Sequence, residues 1–297
     1  MKGLIIKSTG KYSLVKVNDK IYKCLLRGNF RLDNNLSNPV VSGDTVEIEL
    51  DKSQNGVITK VLERENQFIK KSLKDNKAHI IGSNIDQVLI ICSLKKPYTK
   101  LIFLDKCIAA AHYYNIKPII IFNKIDLLDS KEIQNLKIIN NNYTNLGILF
   151  LEMSATDEIG IQELNKNLRN KKTLFIGNSG VGKSTIINKV SKSNQKINDL
   201  SSKTGRGKQT TTFSEIFEID SNSFIVDSPG FKDFYFYGID KSEIKYLFND
   251  FIEIQKECKF NNCLHLEEPQ CKIKKNIGKK IWSKRYSSYL SIMGELN

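Results

Sequence analysis

The 297-residue chain contains no run of eighteen apolar residues, and this excludes a transmembrane helix. Residues 1–7 hold too short an apolar stretch for a signal peptide and show no cleavage-site pattern, so we expect a cytosolic protein. Acidic residues are also few: 32 aspartates and glutamates are outnumbered by 46 lysines and arginines, which leaves a formal net charge of +14. This excess favours a polyanionic partner, first nucleic acid and second an acidic membrane surface, with a solvated lysine-rich surface as the alternative.

Histidine and cysteine are scarce, with three and six residues, and they are unevenly distributed. Three cysteines lie in apolar surroundings typical of a protein core: Cys24, Cys92 and Cys107. The other three cluster around one histidine: Cys258, Cys263, His265 and Cys271. In a reducing compartment this spacing indicates a metal site before a disulfide. Three thiolates and an imidazole suit one tetrahedral Zn²⁺ with a structural role, and unliganded core positions are the alternative.

Residues 1–65 alternate short β-branched or apolar runs with turn signals such as Asn55-Gly56. About five strands in this segment indicate an OB-type barrel, a shape that often binds RNA. An SH3-like barrel or an interaction module that does not bind RNA is the alternative. Residues 66–83 show little periodicity and several lysines, so they are predicted to form a linker.

Beyond residue 83, apolar runs typical of buried strands alternate with stretches of helical periodicity, which indicates an α/β fold with a parallel sheet. Strands are predicted at 88–92, 118–122, 148–151, 173–176 and 224–226, and a helix over 101–114. Functional loops of such sheets lie at the carboxyl ends of the strands. The nucleotide-binding motifs described next sit at such ends.

A phosphate-binding loop is indicated between the strand at 173–176 and a helix that opens with Ser184-Thr185. Its residues fit the pattern G-x-x-x-x-G-K-[ST] at every defined position: Gly177, Asn178, Ser179, Gly180, Val181, Gly182, Lys183 and Ser184. Glycines let successive backbone N–H groups point at a β-phosphate, and the helix N-terminus adds partial positive charge. We expect Lys183 to bridge the β- and γ-phosphates and Ser184 to bind Mg²⁺, so both are candidate catalytic residues.

A guanine-reading loop of the form N-K-x-D follows the strand at 118–122: Asn123, Lys124, Ile125 and Asp126. The Asp126 carboxylate can accept hydrogen bonds from guanine N1–H and the 2-amino group. Adenine offers neither pairing, so an ATPase is disfavoured. Asn123 is expected to buttress the loop, and the Lys124 stem is expected to pack on the base. Ser154 and Ala155, after the strand at 148–151, are expected to present a backbone N–H to guanine O6.

A third motif, Asp227-Ser228-Pro229-Gly230, matches the pattern D-x-x-G after the strand at 224–226. We expect Asp227 to hold Mg²⁺ through water and the Gly230 N–H to sense the γ-phosphate. Phe231 stands where Ras-like enzymes have a water-orienting glutamine, which implies slow intrinsic hydrolysis or a catalytic group supplied from elsewhere. The glycine- and lysine-rich segment 205–212 is predicted to be a switch with a threonine that completes the Mg²⁺ shell, and a plain flexible loop is the alternative.

The C-terminal segment is basic. No acidic residue occurs between Cys271 and Arg285, and the cations there are Lys272, Lys274, Lys275, Lys279, Lys280, Lys284 and Arg285. Three aromatic residues are interleaved: Trp282, Tyr286 and Tyr289. This mixture suits phosphate contacts with aromatic packing on RNA. A surface helix whose aromatic stripe packs onto the zinc module is the alternative.

The guanine-reading loop precedes the phosphate loop in this chain, the reverse of the order in Ras-like GTPases. With the preceding barrel and the trailing cysteine–histidine cluster, this order resembles that of the circularly permuted bacterial RsgA GTPases (also called YjeQ or YloQ) over essentially the whole chain. The resemblance implies an α/β fold class in three parts. These are an OB-fold barrel at 1–65, a circularly permuted P-loop GTPase domain at 66–237 and a zinc-binding helical domain at 238–297.

Membership of this family implies GTP hydrolysis to GDP and phosphate, with Mg²⁺, stimulated by the small ribosomal subunit during its late maturation. The implied partners are that subunit and its rRNA, and we expect a monomer without membrane association. Where the family reads G-R-G-x-H-T-T-T, this chain has Gln209 in place of the histidine, which makes Gln209 a candidate for orienting water. Because of Gln209 and Phe231, a GTP-dependent RNA-binding switch that does not hydrolyse GTP is the alternative.

Overall fold

The computed structural model describes residues 1–27, 39–51, 55–71, 78–192, 214–228 and 234–296. Several sequence predictions fall outside these ranges: those for the segment 205–212 with Gln209, and those for Pro229, Gly230 and Phe231. The described residues form a barrel, a β-hairpin, a central α/β unit and a helical C-terminal region. Among them, no helix combines the length and the apolar character needed to cross a membrane.

Five strands at the N-terminus close into a barrel: β1 (Lys2–Ser8), β2 (Ser13–Val17), β3 (Lys20–Leu26), β4 (Thr45–Leu50) and β5 (Gly56–Val61). β1 pairs antiparallel with both β2 and β4, while β3 runs parallel to β5. The inward side chains, such as Ile5 and Val15, are apolar and buried. Gly56 allows a close approach, because a Cβ there would lie 2.2 Å from the Cys24 sulfur. The predicted OB-type barrel is confirmed.

A β-hairpin follows the barrel, formed by β6 (Gln67–Lys71) and β7 (Ala78–Ser83). The prediction of a linker over 66–83 is therefore wrong for these strands. The Phe68 ring is buried, with its centroid 5.8 Å from that of Tyr114 and 5.9 Å from that of Phe234. Sequence reasoning missed the hairpin because its apolar runs are short and flanked by lysines, and because distant parts of the chain bury it.

The central unit contains six strands: β8 (Gln87–Cys92), β9 (Lys117–Phe122), β10 (Leu149–Glu152), β11 (Lys172–Gly177), β12 (Glu215–Asp220) and β13 (Ser223–Asp227). Their order is β10-β9-β8-β11-β13-β12, and all neighbours are parallel except β12 and β13. Four helices cover the sheet: α1 (Leu101–Tyr113), α2 (Ser130–Thr144), α3 (Ile161–Leu168) and α4 (Lys183–Lys192). The first two pack on one face, and the last two pack on the other. The predicted parallel sheet is confirmed.

The barrel and the central sheet are continuous, because β1 pairs antiparallel with β12. Lys7 and Glu215 face each other in this pairing and form an ion pair at 3.2 Å. A second contact is centred on Asp44, which is fully buried. Its carboxylate accepts hydrogen bonds from Arg64 at 2.7 and 2.8 Å and from the Ser83 hydroxyl at 2.6 Å. The barrel is thus tied both to β12 and to the end of the hairpin.

The C-terminal region contains helices α5 (Asn249–Gln255), α6 (Lys272–Lys275) and α7 (Ser283–Glu295). Helix α7 packs against α1, and a buried charge network joins the two. Arg285 on α7 is 2% exposed and pairs with Asp105 of α1 at 2.6 Å and with Asp250 of α5 at 3.0 Å. The Tyr143 hydroxyl donates to the same Asp105 at 2.8 Å. Arg285 was predicted as part of a basic RNA-binding surface, and its burial corrects that prediction.

Candidate nucleotide site and metal centre

The guanine-reading loop and the phosphate loop meet at the carboxyl ends of β9 and β11. The Asn123 side-chain amide donates to the Val181 carbonyl at 2.9 Å. The Lys124 ammonium donates to the Gly180 carbonyl at 2.8 Å. Two motifs that are far apart in the sequence, in inverted order, are therefore hydrogen-bonded to each other, as one binding site requires.

Two glycines give the phosphate loop its shape, and one of them makes room for Asn123. Gly180 and Gly182 have φ angles of +86° and +101°, which side-chain-bearing residues rarely adopt. A Cβ on Gly182 would lie 2.1 Å from the Asn123 amide nitrogen. Gly182 therefore both lets the backbone curl around a phosphate and leaves room for the Asn123 side chain.

The residues expected to read the base lie around this contact. Asp126 is exposed in a short 3₁₀ helix, Ile125–Leu127, that follows the left-handed Lys124. The Ala155 N–H donates to the Asn123 side-chain oxygen at 3.1 Å. Ser154 is fully buried, and its hydroxyl accepts from the Asp157 N–H at 3.2 Å. The N–H expected to reach guanine O6 thus has a protein partner, because the asparagine oxygen lies within its reach.

The phosphate end of the site is marked by Lys183, the first residue of α4. Its ammonium lies 2.9 Å from the Asp227 carboxylate and also donates to the Ser228 carbonyl. The Ser228 hydroxyl donates to the Phe175 carbonyl at 2.7 Å, which fixes this part of the loop against β11. Ser184 is exposed beside Lys183. A cation and a carboxylate therefore meet at the end of the phosphate loop, and the exposed Ser184 follows directly in the chain.

The four predicted metal-ligating side chains lie close together, as the sequence predicts. The ligand atoms of four residues all lie within 4.8 Å of one another: Cys258, Cys263, His265 and Cys271. The His265 Nδ1 atom lies 3.8 Å from the Cys258 sulfur and 3.5 Å from the Cys271 sulfur. Tetrahedral bonds of about 2.3 Å to sulfur and about 2.0 Å to nitrogen would place these atoms roughly 3.5 Å apart. The donor set and its dimensions fit a closed four-coordinate metal ion.

The pKa values of two of these side chains, and the contact of His265 with a glutamine side chain, also suit a bound metal ion. Burial raises the pKa of the Cys263 thiol to about 12, and burial lowers the pKa of His265 to about 4. A buried metal cation would displace the thiol protons and stabilise the thiolates. The His265 Nε2 atom lies 3.4 Å from the Gln255 side-chain oxygen, which leaves Nδ1 as the ligand atom. Gln255 has no sequence signature and was missed.

The aromatic residues of the C-terminal segment support the metal loop. The Tyr286 hydroxyl donates to the His265 carbonyl at 2.7 Å, and the Tyr289 hydroxyl donates to the Leu264 carbonyl at 2.5 Å. Both rings are buried. These two tyrosines therefore pack against the metal loop, as the alternative prediction has it, and do not stack on RNA. Five lysines around them remain exposed: Lys274, Lys275, Lys279, Lys280 and Lys284. The segment thus has a buried aromatic side and a solvent-facing basic side.

A phosphate loop and a guanine-reading loop on one parallel sheet, in inverted chain order, define a circularly permuted P-loop GTPase. The family described as RsgA GTPase matches residues 61–237, and the family described as RsgA N-terminal domain matches residues 2–58. The chain belongs to the RsgA GTPase family, and it is a GTP hydrolase.

Relatives and solved structures are similar along nearly the whole chain. The small ribosomal subunit biogenesis GTPase RsgA 2 of Bacteroides thetaiotaomicron is 37% identical over 298 residues, 99% of this chain and 96% of the relative. The corresponding GTPase RsgA of Christiangramia forsetii is 38% identical over 302 residues, 99% and 96% of the two chains. The crystal structure of YjeQ from Thermotoga maritima has a TM-score of 0.79 at 29% identity and covers 99% of this chain and 98% of its own. YloQ, described as a circularly permuted GTPase, has a TM-score of 0.73 at 26% identity, with 99% and 94% covered.

Proposed function

We propose that this GTPase binds the small ribosomal subunit and acts in its late maturation, hydrolysing GTP to GDP and phosphate when the subunit stimulates it. Relatives that match 99% of the chain are named small ribosomal subunit biogenesis GTPases. The net charge of +14 suits a partner rich in phosphate. The observation that carries the GTP part is the hydrogen bonding of Asn123 and Lys124 to the phosphate loop. We expect a monomer that works in the cytoplasm, where ribosomal subunits are assembled.

In this proposal the base of GTP lies against Lys124 and Asp126, and the phosphates lie along the loop that ends at Lys183. The Ala155 N–H holds the Asn123 side chain, and Ser154 and Ala155 complete the wall on the base side. The residues proposed to contact GTP are Asn123, Lys124, Ile125, Asp126, Ser154, Ala155, Gly177, Asn178, Ser179, Gly180, Val181, Gly182, Lys183, Ser184, Thr185, Asp227 and Gly230. Lys183 exchanges its contacts with Asp227 and Ser228 for phosphate oxygens when GTP binds.

Oxygen donors suited to Mg²⁺ stand at the phosphate end of this site. Ser184 would hold the ion directly and Asp227 would hold it through water, since the Asp227 carboxylate already lies beside Lys183. When bound, Mg²⁺ would neutralise charge that develops on the phosphates during transfer. Lys183 adds a second positive charge at the same phosphates. Gln209 is our candidate for orienting the attacking water, on the basis of its position in the family motif.

The metal of the C-terminal region is proposed to be one structural Zn²⁺ per chain. Three thiolates and an imidazole are ligands that zinc prefers, and four protein ligands leave no open position for catalysis. The Tyr286 and Tyr289 hydrogen bonds hold the same loop from the side of α7. The ion therefore completes a module that presents its exposed lysines to solvent. We propose that this basic side and the barrel contact rRNA.

GTP turnover measured with and without purified small subunits tests the proposal. We expect the subunits to raise turnover, and the stimulation to fall as salt rises, because phosphate contacts release counterions. Large subunits serve as a control for non-specific rRNA binding, and Lys183→Ala is a control for contaminating GTPases. If GTP binds but small subunits leave turnover unchanged, the proposed stimulation by the subunit is refuted.

A further inference from the structure

The loop that joins β8 to α1, residues 93–99, carries no motif, yet its own hydrogen bonds close it tightly. The Thr99 hydroxyl accepts from the Ser93 N–H at 3.0 Å, and the Thr99 N–H donates to the Ser93 carbonyl at 2.9 Å. The Ser93 hydroxyl accepts from the Lys95 N–H at 3.0 Å. Ser93 is fully buried and Thr99 is 1% exposed. We call this pair of side chains the Ser93–Thr99 clasp.

The closed loop presents a backbone carbonyl to the guanine-reading lysine. The Lys96 carbonyl accepts from the Lys124 ammonium at 2.9 Å, opposite the 2.8 Å bond from the same ammonium to Gly180. Pro97 packs on the phosphate loop, since a Cβ on Gly180 would lie 3.3 Å from its Cδ atom. The Lys124 ammonium is thus held between two loops.

A second contact ties the loop to the helix that follows the guanine-reading loop. The Lys95 ammonium lies 2.6 Å from the Glu132 carboxylate. Glu132 also accepts from the Asp129 N–H at 2.9 Å in the capping box of α2. Residues 93–99 therefore contact the phosphate loop, Lys124 and the start of α2 together.

We propose that the Ser93–Thr99 clasp is a positioning site for guanine nucleotide binding: it holds the Lys96 carbonyl where it fixes the Lys124 ammonium, so that the lysine stem lies flat as a platform for the base. The inference rests on the proposed nucleotide site. A lysine stem has many rotamers and loses entropy when a ligand orders it. Because the two carbonyls order the stem before the nucleotide arrives, less of that entropy is lost on binding.

The test uses GDP labelled with a fluorophore on its ribose, the full chain and three single variants. Thr99→Val removes the acceptor for the Ser93 N–H at nearly constant volume. Lys124→Met keeps the stem and removes the ammonium. Thr173→Val is the matched control, because Thr173 is equally buried and also accepts a side-chain hydrogen bond, from Gln87 at 3.0 Å, at the far end of β11. We expect Thr99→Val to raise the Kd for GDP about three- to tenfold, the size of one lost hydrogen bond, and Thr173→Val to leave it unchanged.

The double variant Thr99→Val/Lys124→Met distinguishes a loss of Lys124 positioning from a general destabilisation of the nucleotide site. Once the ammonium is gone, the clasp has nothing to hold, so we expect the double variant to bind GDP like Lys124→Met alone. Additive losses, or an equal loss in Thr173→Val, would overturn the proposal. If Thr99→Val does not fold, Ser93→Ala in the same cycle replaces it. Wild-type affinity in both Lys124→Met and Asp126→Asn would instead remove the nucleotide site itself.

Discussion

Arg285→Met removes the guanidinium that pairs with two buried carboxylates where α7 meets α1. Asp105 is fully buried and Asp250 nearly so, at 0% and 6% side-chain exposure. Methionine retains much of the volume of the arginine stem and lacks the guanidinium, which lies over the Phe248 and Tyr143 rings. The substitution therefore tests the charge of Arg285 more than its bulk.

The expected loss in the free energy of unfolding follows from the two carboxylates that stay buried without a cationic partner. Removing one partner of a buried ion pair costs about 3–5 kcal/mol, because the remaining charge stays buried without compensation. Two carboxylates lose their partner here, so the upper part of that range applies. For a unit with an m-value of about 1–3 kcal/mol/M, the urea midpoint should fall by roughly 1–5 M. An exposed pair offers the contrast: Lys256→Met, which breaks the pair with Glu253, should cost no more than about 0.5 kcal/mol.

The chain contains a natural reporter for this interface. Trp282 is its single tryptophan and lies directly before α7, with its ring edge-on to Tyr143 at 6.2 Å. Urea unfolding followed by Trp282 fluorescence therefore reports the docking of α7 on the central unit. The variant Arg285→Met/Asp105→Asn/Asp250→Asn has no uncompensated charge and should recover more than half of the loss. A triple variant as unstable as Arg285→Met would refute the reasoning, because the loss would then come from packing.

The pH dependence gives an independent check with a definite sign. Burial raises the pKa of the Asp105 carboxyl, and the Arg285 guanidinium opposes that shift. In Arg285→Met burial acts without this opposition, so the pKa rises further. A carboxyl whose pKa is higher in the folded state binds a proton on folding, and its stability contribution is lost as the pH rises through that pKa. The destabilisation by Arg285→Met should therefore be smaller at acidic pH than at neutral pH.

Four further outcomes are expected. Asp126→Asn should shift nucleotide preference from GTP towards XTP, measured by competition, because xanthine replaces the 2-amino donor with an acceptor; retained GTP preference would exclude Asp126 as the base reader. Lys183→Ala should abolish GTP turnover by removing phosphate charge compensation, and wild-type turnover would place the active site elsewhere. Metal analysis should find one zinc per chain and none in Cys258→Ser, whereas equal zinc in both would exclude the site. Lys279→Ala/Lys280→Ala should weaken small-subunit binding and flatten its salt dependence, with intrinsic turnover as the control.

Sequence reasoning succeeded where the determinants are local. An apolar run followed by Asn123 to Asp126 predicts a strand end and its loop together, and the structure has β9 and that loop there. The cysteine–histidine cluster lies within fourteen residues, so its short spacing already limits where the side chains can go. Both features depend on neighbours in the chain, which a sequence displays directly.

The features that sequence reasoning missed depend on distant residues. Arg285 stands in a run of lysines and is indistinguishable from them by composition, but its partner Asp105 lies 180 positions away. The Lys96 carbonyl belongs to the backbone, and no residue type marks it. Phe68 is buried by rings from two remote segments. Tertiary packing determines the burial or the hydrogen bond in each of these three cases, and the local sequence pattern does not indicate it.

Helix α1 lies between the candidate nucleotide site and the C-terminal region that holds the metal centre. At its start, the loop before it presents the Lys96 carbonyl to Lys124 of the guanine-reading loop. One turn further on, Asp105 pairs with Arg285 of α7, and α7 in turn holds the metal loop through Tyr289. Close-packed interiors transmit displacement because they leave little free volume to absorb it. The base end of the nucleotide site and the basic C-terminal surface are therefore connected through two packed helices, α1 and α7.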